Sequence, residues 1–430
     1  MWGEIYEKAG MDMGLYQLRK PLEQNVHYFL KWIIISCLIG CVGGVIGGFF
    51  AKCVIWATDF RQGHDWTLYL MPVAGLMIIS LYHVFHEEKN KGTNMVIEAI
   101  SSDKEVSFAT GPLIFVSTIL THFVGGSSGR EGAALQLGGS IGNAAGHLIR
   151  LDDKDRKIAV MCGMSAVFGA LFGTPVAAGI FSMEVVRVGV MYYAALVPCL
   201  FSAFLGAGIS GWMGIEAESY QILGLPKFDL PMAAYMVLLG IMCAFVSIGF
   251  CMMLHQSEKL YRKRFENPYI RILAASGIFI ALTLLSGTRD YNGGGLQLIE
   301  EAMEGHVRYE AFLMKALFTA AALGAGFKGG EIVPTLCIGS TFGCMTGQIM
   351  GISPSFSAAC GMVALFVGVT NCPISTMMIA LELFGGDGLW FFAIVISVTF
   401  TLSGYYGLYS SQRFAYSKTS NEFIDRKSNK

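Results

Sequence analysis

Gly125-Gly126-Ser127-Ser128-Gly129-Arg130-Glu131-Gly132-Ala133-Ala134-Leu135-Gln136-Leu137-Gly138-Gly139 sets a guanidinium and a carboxylate side by side among glycines, with apolar sequence on both flanks. Ionised groups are costly in apolar surroundings, so a retained acid there points to function. Glycines let backbone N–H groups turn inward, and a helix starting near Glu131 would aim its positive end at an anion. This pattern suits a small anion held by partial charges, with Glu131 as a protonatable gate.

Outward from that stretch, the chain is 54% hydrophobic and 14% charged, against roughly 25% charged in soluble domains. Apolar sequence on that scale, spread over 430 residues, predicts an all-α polytopic membrane protein rather than a soluble core. The net charge of −1 argues against a nucleic-acid partner. The 53 glycines and 23 methionines suit closely packed, adaptable membrane helices. Most of the 11 cysteines lie in apolar runs, without Cys-x-x-Cys or His clusters, so neither metal nor cofactor is expected.

Apolar runs near 32–57, 67–85, 107–125, 188–213, 231–254, 270–286 and 388–409 have bilayer-crossing length. Between them lie shorter, glycine-punctuated segments near 133–149, 158–171, 173–186, 311–327, 335–351, 355–370 and 373–385. Half-spanning helices are tolerated only where they are buried in protein or face a watery pathway. Residues 1–28 read as an interfacial or cytoplasmic helix, with Leu15, Leu18 and Leu22 recurring apart from Arg19, Lys20 and Glu23. Lys259, Arg262, Lys263 and Arg264, together with the tail 413–430, place both termini on the cytoplasmic side. That tail is too short for a regulatory domain.

The chain also repeats itself. Cys162-Gly163-Met164 recurs at Cys360-Gly361-Met362, Pro175 at Pro373 and Glu184 at Glu382 (360−162, 373−175 and 382−184 all equal 198). Gly138, Gly142 and Gly146 return at Gly339, Gly343 and Gly347. Two halves, taken as 29–227 and 228–412, are the mark of a repeat-built transporter with its site at the repeat interface.

Three glycine-rich turns open helix-like segments: Gly92-Thr93-Asn94-Met95, the opening stretch, and Gly329-Gly330-Glu331-Ile332-Val333-Pro334. Brought together, their N–H groups would hold an anion firmly enough to bind and loosely enough to release. The anion-binding candidates are therefore Gly92, Thr93, Asn94, Met95, Gly129, Arg130, Gly132, Gly330, Ile332, Val333 and Tyr409. Glu131 is the gate, and Glu331 either a second coupling acid, screened by Lys328, or a plain helix-dipole partner. Arg130 is expected to pair with a distant acid, for which Glu98 is a candidate. Tyr409 could place a phenol at the inner mouth. Glu184 and Glu382, each closing a Pro-x8-Glu segment, read as structural because the repeat duplicates them.

These residues resemble the CLC family of chloride channels and proton-coupled anion antiporters. The family's Gly-Lys/Arg-Glu-Gly-Pro motif is matched by Gly129-Arg130-Glu131-Gly132, with Ala133 in the place of proline. Its Gly-Gly-x-x-x-Pro motif is matched by Gly329-Gly330 and Pro334, and its terminal Leu-Tyr-Ser by Leu408-Tyr409-Ser410. The resemblance implies two inverted helical repeats with re-entrant helices, a homodimer, and one anion pathway per subunit. Three departures look like its bacterial fluoride/proton antiporter branch. Gly92-Thr93-Asn94-Met95 replaces a serine-bearing turn, with Met95 or Thr93 at the serine position. Val185, not an acid, follows Glu184, and Glu331 follows the glycine pair. The resemblance thus implies a fluoride exporter of the bacterial inner membrane, conferring fluoride resistance. A chloride channel or chloride/proton antiporter of the same fold is the alternative. An enzyme is not expected, since no nucleophile, metal set or cofactor loop accompanies the acids.

Overall fold

The computed structural model describes residues 13–102 and 104–429. The call of an amphipathic face on Leu15, Leu18 and Leu22 lies outside the described side chains. The expected break at residue 28 is absent: one helix, α1, runs unbroken over Met13–Gly63. Nothing between Asn25 and Gly63 stops it, since the glycines there pack against other helices instead of turning the chain. A Cβ on Gly40 would lie 2.9 Å from Ser202 O, and one on Gly44 would lie 3.1 Å from Gly206 O.

The following helices are α2 (Met71–Val84), α3 (Thr93–Ser101), α4 (Thr110–Phe123), α5 (Glu131–Leu148) and α6 (Asp153–Phe172). Next come α7 (Pro175–Glu184), α8 (Leu196–Trp212), α9 (Leu230–Arg264) and α10 (Pro268–Ser286). The chain continues through α11 (Leu296–Met303), α12 (Ala311–Ala325), α13 (Ile332–Met350), α14 (Pro354–Thr370), α15 (Pro373–Phe384) and α16 (Leu389–Leu402). Among the described residues six helical stretches are long and apolar enough to cross a bilayer. The runs 107–125 and 388–409 do not reach that length as helices. Each yields 14 residues, about 21 Å against the roughly 30 Å of a bilayer core. Gly125 (φ +82) and Gly404 (φ +58) turn the chain shortly after each of them. Conversely α13, expected to be short, has 19 residues, but most of it is buried in protein.

The repeat is visible in packing. In the first half α5 crosses α6 so closely that a Cβ on Gly138 would stand 2.2 Å from Gly163 O, and one on Gly142 2.1 Å from Ala159 O. In the second half α13 crosses α14 the same way, with Gly339 at 2.5 Å from Gly361 O and Gly343 at 2.1 Å from Ser357 O. The repeated glycines thus let two backbone pairs touch, as small residues do between membrane helices. The halves also cap each other. Glu184 accepts from Ile374 N (3.1 Å) and Ser375 N (2.8 Å) at the start of α15. Glu382 accepts from Val176 N and Ala177 N, both at 2.9 Å, at the start of α7. Each acid satisfies orphan donors of the other half's helix, which bears out their structural reading.

The tail is folded onto the body. Strands β1 (Arg187–Val188), β2 (Arg413–Tyr416) and β3 (Phe423–Lys427) form a small sheet in that order, parallel between β1 and β2 and antiparallel between β2 and β3. Asn429 reaches His255 of α9 (3.5 Å), so the tail lies on the face that carries the basic end of that helix.

Candidate functional site

The opening stretch and its counterpart meet at the centre. Gly129 N donates to Gly330 O and Gly330 N to Gly129 O, both at 2.6 Å, in an isolated antiparallel bridge. The approach requires glycine: a Cβ on Gly330 would lie 2.3 Å from Gly132 N, and one on Gly329 2.4 Å from Ser128 Oγ. The first turn joins them through Thr93 Oγ1, which donates to Gly132 O at 3.3 Å, and Gln136 Nε2 donates to the same carbonyl at 3.3 Å. The three turns converge as their sequence suggested, bringing the starts of α3, α5 and α13 together.

Two cavities flank this bridge. One, of about 540 Å³, opens on the face away from the basic end of α9 and is lined by Arg61, His122, Gly129, Arg130, Arg289 and Val333, among others. The other, of about 550 Å³, opens on the basic face and reaches Gly92, Thr93, Asn94, Lys328, Glu331 and Tyr409. Glu131 lines neither and is fully buried between them. Its Oε2 accepts from Arg130 N at 3.1 Å and its Oε1 lies 3.4 Å from Arg130 Nε. The carboxylate is therefore drawn back over the turn, onto the backbone N–H of Arg130.

Glu331 is half-buried and faces the second cavity, and its buried Oε2 has no hydrogen-bond partner. The phenol of Tyr409 is buried and unpartnered at that mouth. Buried polar groups are almost always paired, so unpaired ones beside a cavity mark a place for a ligand or water. Asn94 fixes the Tyr409 loop, its Oδ1 accepting from Ser411 N at 2.8 Å. Ile332 and Val333 begin α13, with Ile332 fully buried.

Two expectations need correction. Met95 lines neither cavity; it is half-buried against the apolar core, and Thr93 and Asn94 are the members of that turn that line the second cavity. Short polar side chains at the helix start stay beside the cavity while the longer thioether finds apolar company. Arg130 does not pair with Glu98, whose carboxylate binds Lys91 (2.9 Å) and Lys104 (2.7 Å). Its distant partner is Glu218, at 3.0 Å. Lys328 places its ammonium over the Tyr82 ring, 4.4 Å from the centroid, and lines the same cavity as Glu331, so its charge bears on that carboxyl without a direct ion pair. Nothing in the sequence near Glu218 signals its role: Gly214-Ile215-Glu216-Ala217-Glu218 reads as a polar loop, and only the fold carries it inward.

Two inverted halves, half-helix starts meeting at a buried acid, and a cavity on either side define a repeat-built membrane transport protein. The family described as "Voltage gated chloride channel" matches residues 74–404. The chain belongs to this family, the CLC proteins. It is similar to the chloride/fluoride channel protein of Pseudomonas syringae pv. tomato, 31% identical over 94% of this chain and 91% of that one. The H(+)/Cl(−) exchange transporter of Vibrio cholerae is 23% identical over 82% of this chain and 81% of its own length. Among solved structures, a CLC-type fluoride/proton antiporter superposes with TM-score 0.87 at 30% identity, over 90% of this chain and 98% of that one. A slow cyanobacterial Cl−/H+ antiporter gives TM-score 0.75 at 17% identity, over 86% and 94%, which supports the fold.

Proposed function

We propose that this chain exports fluoride in exchange for protons, as a transporter and not as an enzyme. The observation that carries the reading is Glu131, buried between two cavities with its carboxylate on donors suited to an anion. Protonated, it would release those donors; ionised, it would compete with the anion for them. Proton and anion then alternate at one place.

Fluoride is favoured over chloride by the acid at the turn before α13. Glu331 brings an unpaired carboxyl to the inner cavity, whereas Val185, after Glu184, is fully buried and brings none. Fluoride attracts protons strongly, so a carboxyl beside its path is a chemically apt partner. The names of the Pseudomonas relative and of the antiporter with TM-score 0.87 agree. Chloride/proton exchange is the second reading, and the Vibrio relative favours it. The basic end of α9, with the folded tail beside it, supports a reading in which the Glu331 cavity faces the cytoplasm of a bacterial inner membrane. The subunits pair as a homodimer, which mass measurement in detergent checks.

Vesicles carrying the reconstituted protein test the assignment. Fluoride efflux should drive proton uptake, and Glu131→Gln should abolish proton movement while leaving anion flux. A larger chloride than fluoride flux in the same vesicles rejects fluoride in favour of the second reading.

A further inference from the structure

The linker 213–229, between α8 and α9, carries an acid into the site from outside the repeated turns. Its course is fixed at several points. Gly173 lies so close to Ala217 that a Cβ there would stand 2.4 Å from the alanine Cβ. Glu218 N donates to Phe172 O at 3.3 Å, Tyr220 N to Leu383 O at 2.9 Å, and Leu223 N to Ser355 Oγ at 2.9 Å. Held this way, Glu218 Oε1 accepts from Arg130 Nη2 at 3.0 Å, and the same nitrogen donates to Leu171 O at 3.2 Å. On the other side Arg130 Nε reaches Glu131 only at 3.4 Å. The guanidinium lies between two carboxylates and is held more closely by the one outside the pathway. All three side chains are nearly removed from solvent, at 10% for Arg130, 12% for Glu218 and 0% for Glu131.

We propose that Glu218 is a positioning residue for the gate: it shares the Arg130 guanidinium with Glu131, so that Glu131 can take up and release its proton. The inference rests on the reading of Glu131 as the gate. Charge balance explains why an exchanger needs it. Arg130 and ionised Glu131 alone would sum to zero, and a proton added there would leave an uncompensated buried cation. With ionised Glu218 the three groups sum to −1, and the same proton brings them to neutrality. Uncompensated charge is disfavoured in an apolar site, so Glu218 turns protonation of the gate from the costly state into the balanced one. Other groups add to this field. Glu300 on α11 and Tyr220 on the linker lie within electrostatic reach of Glu218, while Arg61, Arg130 and Lys315 act together on His122. Burial, opposed by Arg130 and assisted by the Glu131 and Glu300 carboxylates, pushes Glu218 itself up to about 7.

The test is fluoride efflux from vesicles as a function of pH in the solution on the side of the Arg130-lined cavity, for the unaltered protein, E218Q, E218D and E131Q. Removing the Glu218 charge leaves Arg130 to favour ionised Glu131, so protonation requires a more acidic solution. E218Q should move the half-maximal point down by about one pH unit or more, and E218D, which keeps the charge, should stay near the unaltered protein. Should E218Q not fold, E218S removes the same charge with less volume and carries the same expectation. A neutral variant that lowers the rate at an unmoved midpoint, or moves it upward, overturns the proposal. If E131Q uncouples transport but the neutral variants leave the midpoint alone, only the role of Glu218 fails. If E131Q still moves protons, the gate reading itself fails.

Discussion

The turns before α5 and α13 share a backbone and differ in what they carry. Their helix-capping residues adopt nearly the same conformation, φ −101 and ψ −20 at Arg130 and φ −92 and ψ −13 at Glu331. The Gly129–Gly330 bridge makes these two residues equivalent, so Glu131 stands opposite Ile332. At matching places, then, the first turn offers a cation to one cavity and the second offers a carboxyl to the other. Glu184 and Glu382 show the opposite relation: both halves carry the acid, and each carboxylate is bonded to the other half's helix. An acid that the repeat duplicates holds helices together. The acids that break the symmetry sit where proton and anion would meet.

The sharpest way to break this distinction is at Glu131. Glu131→Gln keeps the size and removes the titration, so coupled proton movement should fall below detection while anion flux persists. Separate pH and fluoride electrodes on one vesicle suspension read both. Glu331 comes next. Glu331→Gln should slow coupled exchange by about 100-fold, the scale of a lost proton-handling group, with the fold intact. An exchange rate within twofold of the unaltered protein would put Glu331 with the structural acids.

Much of this contrast could be read from the residues in order. The 198-residue spacing placed Glu184 and Glu382 in one class, and the glycine-flanked Glu131 in another. The three converging turns were legible because helix starts need donors turned inward and glycine permits it. Three things were hidden. The partner of Arg130 depends on a linker whose path is set by tertiary contacts at Gly173, Phe172 and Leu383, none of which leaves a local pattern. The packing of Met95 against the core depends on rotation of α3, which a nine-residue helix leaves open. The tail reads as polar sequence, and its strand pairing with Arg187–Val188 appears only when the chain returns there.

The packing glycines sharpen the comparison from the symmetrical side. Gly142→Ala and Gly343→Ala each drive a methyl to 2.1 Å from a carbonyl oxygen, of Ala159 and Ser357 respectively. Both should destabilise by about 1–3 kcal/mol, the usual cost of overpacking, and by similar amounts. Thermal unfolding in detergent, followed by tryptophan fluorescence, measures the two shifts. A large difference between them would show that the halves bear load unequally despite equal geometry.

The reciprocal caps carry the smallest expected effect and the cleanest separation of stability from coupling. Glu382→Gln weakens two bonds to the start of α7, and Glu184→Gln weakens bonds to Ile374 N, Ser375 N and Ser375 Oγ (2.5 Å) at the start of α15. A glutamine keeps one acceptor oxygen but loses the charge that complements a helix N-terminus. Each change should therefore cost about 1 kcal/mol, slightly more at Glu184, whose third bond is also lost. Neither residue lines either cavity, so the ratio of protons to anions should stay unchanged as stability falls. A change in that ratio with Glu184→Gln, at unaltered unfolding temperature, would move Glu184 out of the structural class. It would also mean that duplication does not separate acids that hold the fold from acids that work in it.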